Sequence, residues 1–303
     1  MADSLVIPVP ETLSAVYLVP SALSGQAAKA ETISVIAAHV PDPVGAVARK
    51  MLQAGAVSLS SVGASVLPPG LSALQRHLGV PEELGLAVAG AADFAAFSVS
   101  WPPGWPPVHE AVARACAAAF AERIRMPVVD TFVPLVLAPG PAIASLPGSD
   151  YQIRLSEWVL TPGSAGPAGL RVTTKGLGRF GLPELQSYDV PPLLGGPWAR
   201  LLLGLASRLL DHWLDALRRR DGAAFAELPS EIEVCEADVA EAYGSDAAGS
   251  GRTLLRLILD PAVDDHADSF LTVQPPGDPS SSSNEFIADS CAAVFGSSEG
   301  GQR

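Results

Sequence analysis

The chain has 303 residues, 48% of them hydrophobic and 17% charged, enough apolar material to core one large or two modest domains. Its formal net charge of −13 and pI near 4.7 repel phosphate backbones, so nucleic acid is excluded as an expected partner. Cys116, Cys235 and Cys291 are odd in number, far apart and without a C-x-x-C pair, which points to reduced cytoplasmic thiols rather than a disulfide framework or a structural zinc site.

Asp3 stands where a secretory leader carries a base, and Pro8 and Pro10 break the apolar stretch that follows, so no signal peptide is expected. Residues 51–75 and 131–149 are long and uncharged or nearly so, but Gly, Ser and repeated Pro keep them from reading as membrane-spanning helices.

In chain order, the apolar runs 13–19 and 32–38, each bounded by Pro, Ser or Gly, predict strands. Pro43 opens a helix whose apolar residues Val44, Val47, Ala48, Met51 and Leu52 recur at helical spacing, with Gly55 as its C-terminal cap. A short helix is predicted over 71–78 and a strand over 94–100. The loop Trp101-Pro102-Pro103-Gly104-Trp105-Pro106-Pro107 then leads into an amphipathic helix with the stripe Val108, Ala111, Val112, Ala115, Cys116, Ala119, Phe120 and Ile124. His109, Glu110, Arg114, Glu122 and Arg125 fall largely on its other, solvent side. A strand over 127–131 completes a strand-helix-strand unit.

Residues 152–160 and 169–174 predict two antiparallel strands around a turn-rich loop. Gly176, Gly178 and Gly181 follow, spelling G-x-G-x-x-G. That is the literal form of a dinucleotide-binding turn, but no long helix opens at it, and it reads instead as a glycine turn that shapes the backbone; no cofactor is expected. The longest helix is predicted over 198–220, and strands over 231–239, 253–259 and 269–273. A Pro/Gly/Ser linker over 275–283 precedes a small helix capped by Asn284. The organisation expected is an N-terminal half over 1–138, a C-terminal α+β half over 150–274, either separate from the first or one continuous domain with it, and a tail over 275–303.

Three sets of residues offer chemistry. Asp260, Asp264, Asp265, His266 and Asp268 form the densest group of hard-metal ligands, although they lack the glycine and terminal glutamate of a calcium loop. His109 and Glu110 begin a helix beside Trp101 and Trp105 and are candidates for an acid–base pair, against the plainer reading of Glu110 and Arg114 as an i,i+4 surface pair. Lys175 and Glu184 flank the glycine turn and complete the weak catalytic candidates, together with Asp130 if all meet in one cleft. Trp101 and Trp105 are the residues expected to meet a protein partner. G-x-S-x-G and Walker signatures are absent.

The succession of the Pro-Val-His-Glu-Ala-Val-Ala-Arg helix, Val128-Val129-Asp130, Thr173-Thr174-Lys175-Gly176-Leu177 and Phe180-Gly181-Leu182-Pro183-Glu184-Leu185 resembles an uncharacterised bacterial family known only as a domain of unknown function. The likeness covers roughly residues 90–274 and implies a fold without an activity. The fold expected is α+β, a mixed or mainly antiparallel sheet packed against amphipathic helices. The function expected is a non-catalytic, cytoplasmic protein-interaction module. The alternative is a metal-dependent, hydrolase-like enzyme built on Asp264, His266 and Asp268 or on His109 and Glu110.

Overall fold

The computed structural model describes residues 4–22, 25–67, 71, 75, 80–133, 135–149, 151–219, 222–246, 249–260, 269–277 and 283–296. The chain divides into two compact units, one made of residues 1–11 and 154–303 and the other of residues 12–153. The first strand therefore belongs with the C-terminal half, because β1 (Ser4–Pro8) pairs antiparallel with β10 (Phe225–Pro229) in register from Ser4 opposite Pro229 to Pro8 opposite Phe225. Leu5 and Ile7 bury against Ala226 and Leu228, the alternation that a two-stranded ribbon with one covered face requires.

The continuous unit is built on a five-stranded sheet in the order β3-β4-β2-β5-β6, with β2 (Leu13–Pro20) at its centre, antiparallel to β4 (Asp93–Trp101) and to β5 (Val128–Asp130). Its remaining strands are β3 (Ser58–Gly63) and β6 (Leu135–Leu137), both antiparallel to their neighbours. Since β2 opposes both of its neighbours, β4 and β5 run parallel to each other. The helix joining them, α4 (Val108–Ile124), crosses over β2 as the strand-helix-strand pattern predicts.

Both faces of this sheet are covered, which is why its strands read as nearly continuous apolar runs. Ala15, Tyr17, Val19, Ala95, Phe97 and Val128 face α1 (Gly25–His39), α2 (Val44–Ala54), α4 and α5 (Pro139–Ala144). Leu18, Phe94, Ala96 and Val129 face the other way, toward Leu71 and Val88, the latter on α3 (Glu82–Ala89).

Helix α1 corrects the strand predicted over 32–38. Ala28, Thr32, Val35 and Ile36 are buried at spacings of 4, 7 and 8, so a helical stripe underlies a run that its β-branched residues made look extended. Helix α2 ends as predicted, on Gly55 at φ 77° with its amide bonded to Leu52 and Met51 carbonyls. Most of the helix predicted over 71–78 lies outside the described residues.

The discontinuous unit carries a six-stranded sheet in the order β11-β12-β13-β9-β8-β7. It comprises β7 (Gly163–Ala165), β8 (Leu170–Thr173), β9 (Glu184–Val190), β11 (Glu231–Cys235), β12 (Arg252–Asp260) and β13 (Phe270–Gln274). All neighbours are antiparallel except β13 and β9, which run parallel with Thr272 opposite Gln186. Strand β7 forms inside the segment predicted as a loop and pairs with β8, which falls within the strand predicted over 169–174, while 152–160 holds a short 3-10 turn (Leu155–Glu157) instead of a strand, with an isolated bridge between Leu160 and Lys175.

Against one face of this sheet lie α6 (Gly195–Arg219) and α8 (Ser283–Phe295), with α7 (Glu236–Tyr243) packed along α6. Trp198, Leu202, Leu205, Leu209 and Trp213 of α6 are fully buried. The strand predicted over 231–239 stops at Cys235, where the amide of Cys235 donates to Asp238 (2.6 Å) in a capping box that starts α7. The molecule is thus an α+β protein with antiparallel and mixed sheets. No described helix is long and apolar enough to cross a membrane.

Candidate functional site

The outer face of the six-stranded sheet, opposite α6 and α8, gathers polar and aromatic side chains from four adjacent strands. Pairing dictates which they are. Residues directly opposite in an antiparallel ladder share a face, so Asp260 and Phe270 point one way together, as do Ile258 and Thr272, while Leu271, Val273, Leu255 and Leu257 bury on the helical side. Parallel pairing adds Gln186 beside Thr272, and an irregularity in the ladder between β8 and β9 brings Arg171 against Tyr188.

These side chains bond to one another in a fixed order. The Gln186 amide nitrogen donates to Asp260 Oδ2 (3.0 Å) and to Thr272 Oγ1 (2.9 Å), and the Thr272 hydroxyl donates to the same carboxylate oxygen. That leaves the Gln186 carbonyl oxygen turned toward β8, where it accepts from Arg171 Nη2 (2.7 Å) and from the Tyr188 hydroxyl (3.0 Å). The amide orientation follows from its partners on both sides. A neutral amide therefore stands between the Asp260 carboxylate and the Arg171 guanidinium.

Arg171 is also held by two rings, its guanidinium carbon lying 5.4 Å from the Tyr188 centroid and 5.2 Å from the Phe270 centroid. Its Nε is buried without a hydrogen-bond acceptor, and among the described residues no carboxylate pairs with it. Tyr188 is 46% exposed and Leu254, on the same face, 40%. Chemically this is an oriented cation with unspent Nη hydrogens in an aromatic clamp, an arrangement whose charge and fork geometry match a carboxylate.

Of the acidic metal candidates, Asp260 is committed to Gln186 and Thr272, while Asp264, Asp265, His266 and Asp268 lie outside the described residues. Among the described residues no group of three or more His, Cys, Asp or Glu could hold a metal ion.

His109 and Glu110 do not face solvent as the periodicity of α4 predicts; each is 1% exposed, and Arg114 is fully buried. Glu110 and Arg114 do not form a surface pair, since both are buried. Glu110 accepts from the Tyr17 hydroxyl (2.6 Å), while Arg114 donates to that same hydroxyl (3.1 Å), to Ser145 (2.9 Å) and to Asp130 (3.2 Å). The other Asp130 oxygen takes the amides of Phe132 and Val133 and so fixes the turn after β5. The helix is buried nearly all round, so its polar side chains bond to groups of the same unit instead of solvent.

Lys175 is exposed and joins the sheet by its backbone alone, bonding to Leu160 in both directions. Glu184 is 8% exposed and occupies the glycine turn: its carboxylate takes the amides of Gly176 (2.8 Å) and Gly178 (3.3 Å) and the hydroxyl of Thr174 (2.8 Å). An internal carboxylate fills the place that a phosphate takes in a nucleotide loop. Gly176 (φ 134°) and Gly181 (φ 87°) supply the left-handed backbone at the two ends of a four-residue 3-10 helix that makes up the turn, and strand β9 follows it. His109, Glu110 and Asp130 thus belong to the continuous unit and Lys175 and Glu184 to the other.

Trp101 is 43% exposed at the end of β4, and Trp105 is half-buried in the loop beyond. Burial pushes the Cys116 thiol up to about 12, consistent with its place on the covered stripe of α4. Sequence reasoning passed over Arg171, Gln186, Tyr188, Phe270 and Thr272. Their signal is a period-two alternation in β8, β9 and β13, which acquires meaning once the strand order is known.

Comparison with protein-family models, with curated proteins and with solved structures returns no match.

Proposed function

We propose that this chain is a non-catalytic protein-interaction module that grips an acidic side chain of its partner on the outer face of the six-stranded sheet, with Arg171 as the anchor. The observation that carries this reading is the clamped guanidinium, held between Tyr188 and Phe270 and bonded to a neutral amide, with no carboxylate partner among the described residues. Binding hot spots are rich in Arg and Tyr, and a side chain already fixed by stacking forfeits little rotamer freedom when a ligand arrives. Tyr188 and Leu254 provide exposed apolar contact beside the cation. Trp101, exposed on the other unit, is a second aromatic contact in this reading.

Selection of a random displayed peptide library against the purified protein tests it. Wild type is expected to enrich peptides carrying Asp or Glu next to an apolar residue. Arg171→Ala is expected to abolish that enrichment, and Tyr188→Ala to weaken it. Acidic enrichment that survives Arg171→Ala, or none with wild type, overturns the reading. Retention by Trp101→Ala/Trp105→Ala would confine binding to the sheet face.

A further inference from the structure

The five-stranded sheet of the continuous unit ends on β3, and this edge lacks the devices by which sheets ordinarily refuse another strand. Edge strands are commonly short, charged, broken by proline or bent by a bulge. Ser58–Gly63 is six residues long, carries no charge and no proline, and pairs with β4 in unbroken register from Ser58 opposite Ser98 to Gly63 opposite Asp93. In an antiparallel ladder every second residue turns its N–H and C=O away from the neighbouring strand. Among the described residues β3 makes no hydrogen bond on that outward side. Ser58, Ser60, Ser61 and Gly63 are exposed.

We infer that β3 is a pairing edge and that its occupant is β3 of a second copy of this chain, joined antiparallel about a two-fold axis. Outward backbone groups spaced along a straight strand fit one chemistry, another extended strand. Charge selects the copy: a chain of net −13 repels itself over most approaches, and this edge is a neutral stretch on which two copies meet without like charges opposed.

The sequence of β3 is also self-complementary. A two-fold axis normal to the sheet keeps each face on its own side, so the axis passes through a residue. Centred on Ser60, it sets Leu59 opposite Ser61 of the second copy and Val62 opposite Ser58. Centred on Ser61, it sets Leu59 opposite Gly63 and Val62 opposite Ser60. In both registers each larger apolar side chain meets a serine or a glycine, so no pair clashes. Leu59 and Val62 meanwhile keep their places in the two core layers of their own unit.

Sedimentation of the full chain over a concentration series tests this. Wild type is expected to dimerise reversibly with a dissociation constant on the order of 100 µM, as befits a small, mostly main-chain interface. Ser60→Lys/Ser61→Lys is expected to weaken dimerisation at least tenfold. Both positions are exposed, and the two lysines reduce the net negative charge, so a loss of association has the opposite sign to a general electrostatic effect. Hydrogen exchange supplies a second readout, in which the amides of residues 58–63 slow as concentration rises. A wild type that stays monomeric at its highest soluble concentration overturns the inference. So does a dimer that the double variant leaves intact, or one whose formation leaves the amides of 58–63 unprotected.

Discussion

The carboxylate of Glu184 holds Thr174, Gly176 and Gly178 at once, so its removal strands three donors in a buried turn. Glu184→Ala is expected to cost about 3 kcal/mol of stability, since orphaned buried donors each forfeit their hydration. Glu184→Gln keeps an acceptor oxygen and is expected to cost roughly half as much; denaturant titration followed by tryptophan fluorescence reads both. A second prediction concerns the carboxylates around Arg208. Burial raises the Asp211 carboxyl above its ordinary range, more than Arg208 lowers it, and burial likewise raises Glu241, helped by Asp211 and Asp238. The folded state therefore holds these protons more tightly than the unfolded chain, so ionisation destabilises the fold above the raised range and the penalty vanishes as pH falls through it. Asp211→Asn is expected to raise the melting temperature slightly at pH 7 and to leave it unchanged in acid below the carboxylate range. At this scale the sequence was legible where one residue acts on its own backbone, as with the glycine turn and the Gly55 cap. It misled at Arg114, because a helix covered nearly all round turns its charged residues inward to a tyrosine and an aspartate more than ten positions away.

Elements form where local signals and packing agree. The stripe of α6 and the Gly55 stop of α2 are both readable from spacing, whereas the end of β11 depends on a capping contact that apolar spacing does not advertise. Helix α6 contains one position where packing overrides propensity. A Cβ on Gly204 would lie 2.6 Å from Val239 Cγ2 and 3.0 Å from the Val239 amide nitrogen, so α7 approaches α6 as closely as a glycine permits. Ala is the better helix former by about 1 kcal/mol, yet Gly204→Ala is expected to destabilise the protein by about 2 kcal/mol, because backbone atoms of α7 must retreat. Thermal denaturation of the variant checks the sign. Gly204→Ala matching or exceeding wild type would show that α7 shifts freely.

For the whole molecule, composition foretold a well-filled core and the predicted elements an α+β fold, but both concealed how the chain is partitioned. Pro8 and Pro10 stand just before residue 11 and Pro147-Gly148 shortly before residue 154, but such punctuation does not say that one unit interrupts the other, since the division depends on β1 pairing with a strand more than two hundred residues downstream. Deleting residues 1–8 is accordingly expected to weaken the unit that contains the C-terminal sheet and to leave the N-terminal one intact. Hydrogen exchange would show it as faster amides in Phe225–Pro229 with unchanged protection in β2 and β4.

The same interruption sets a timetable for synthesis. A ribosome moving at roughly 5–20 residues per second has the inserted unit fully translated while the opening strand still waits on the order of ten seconds more for β10. During that interval Leu5 and Ile7 are apolar groups without their mate, and a nascent chain stalled before residue 225 is where a chaperone that shields bare strands would find work.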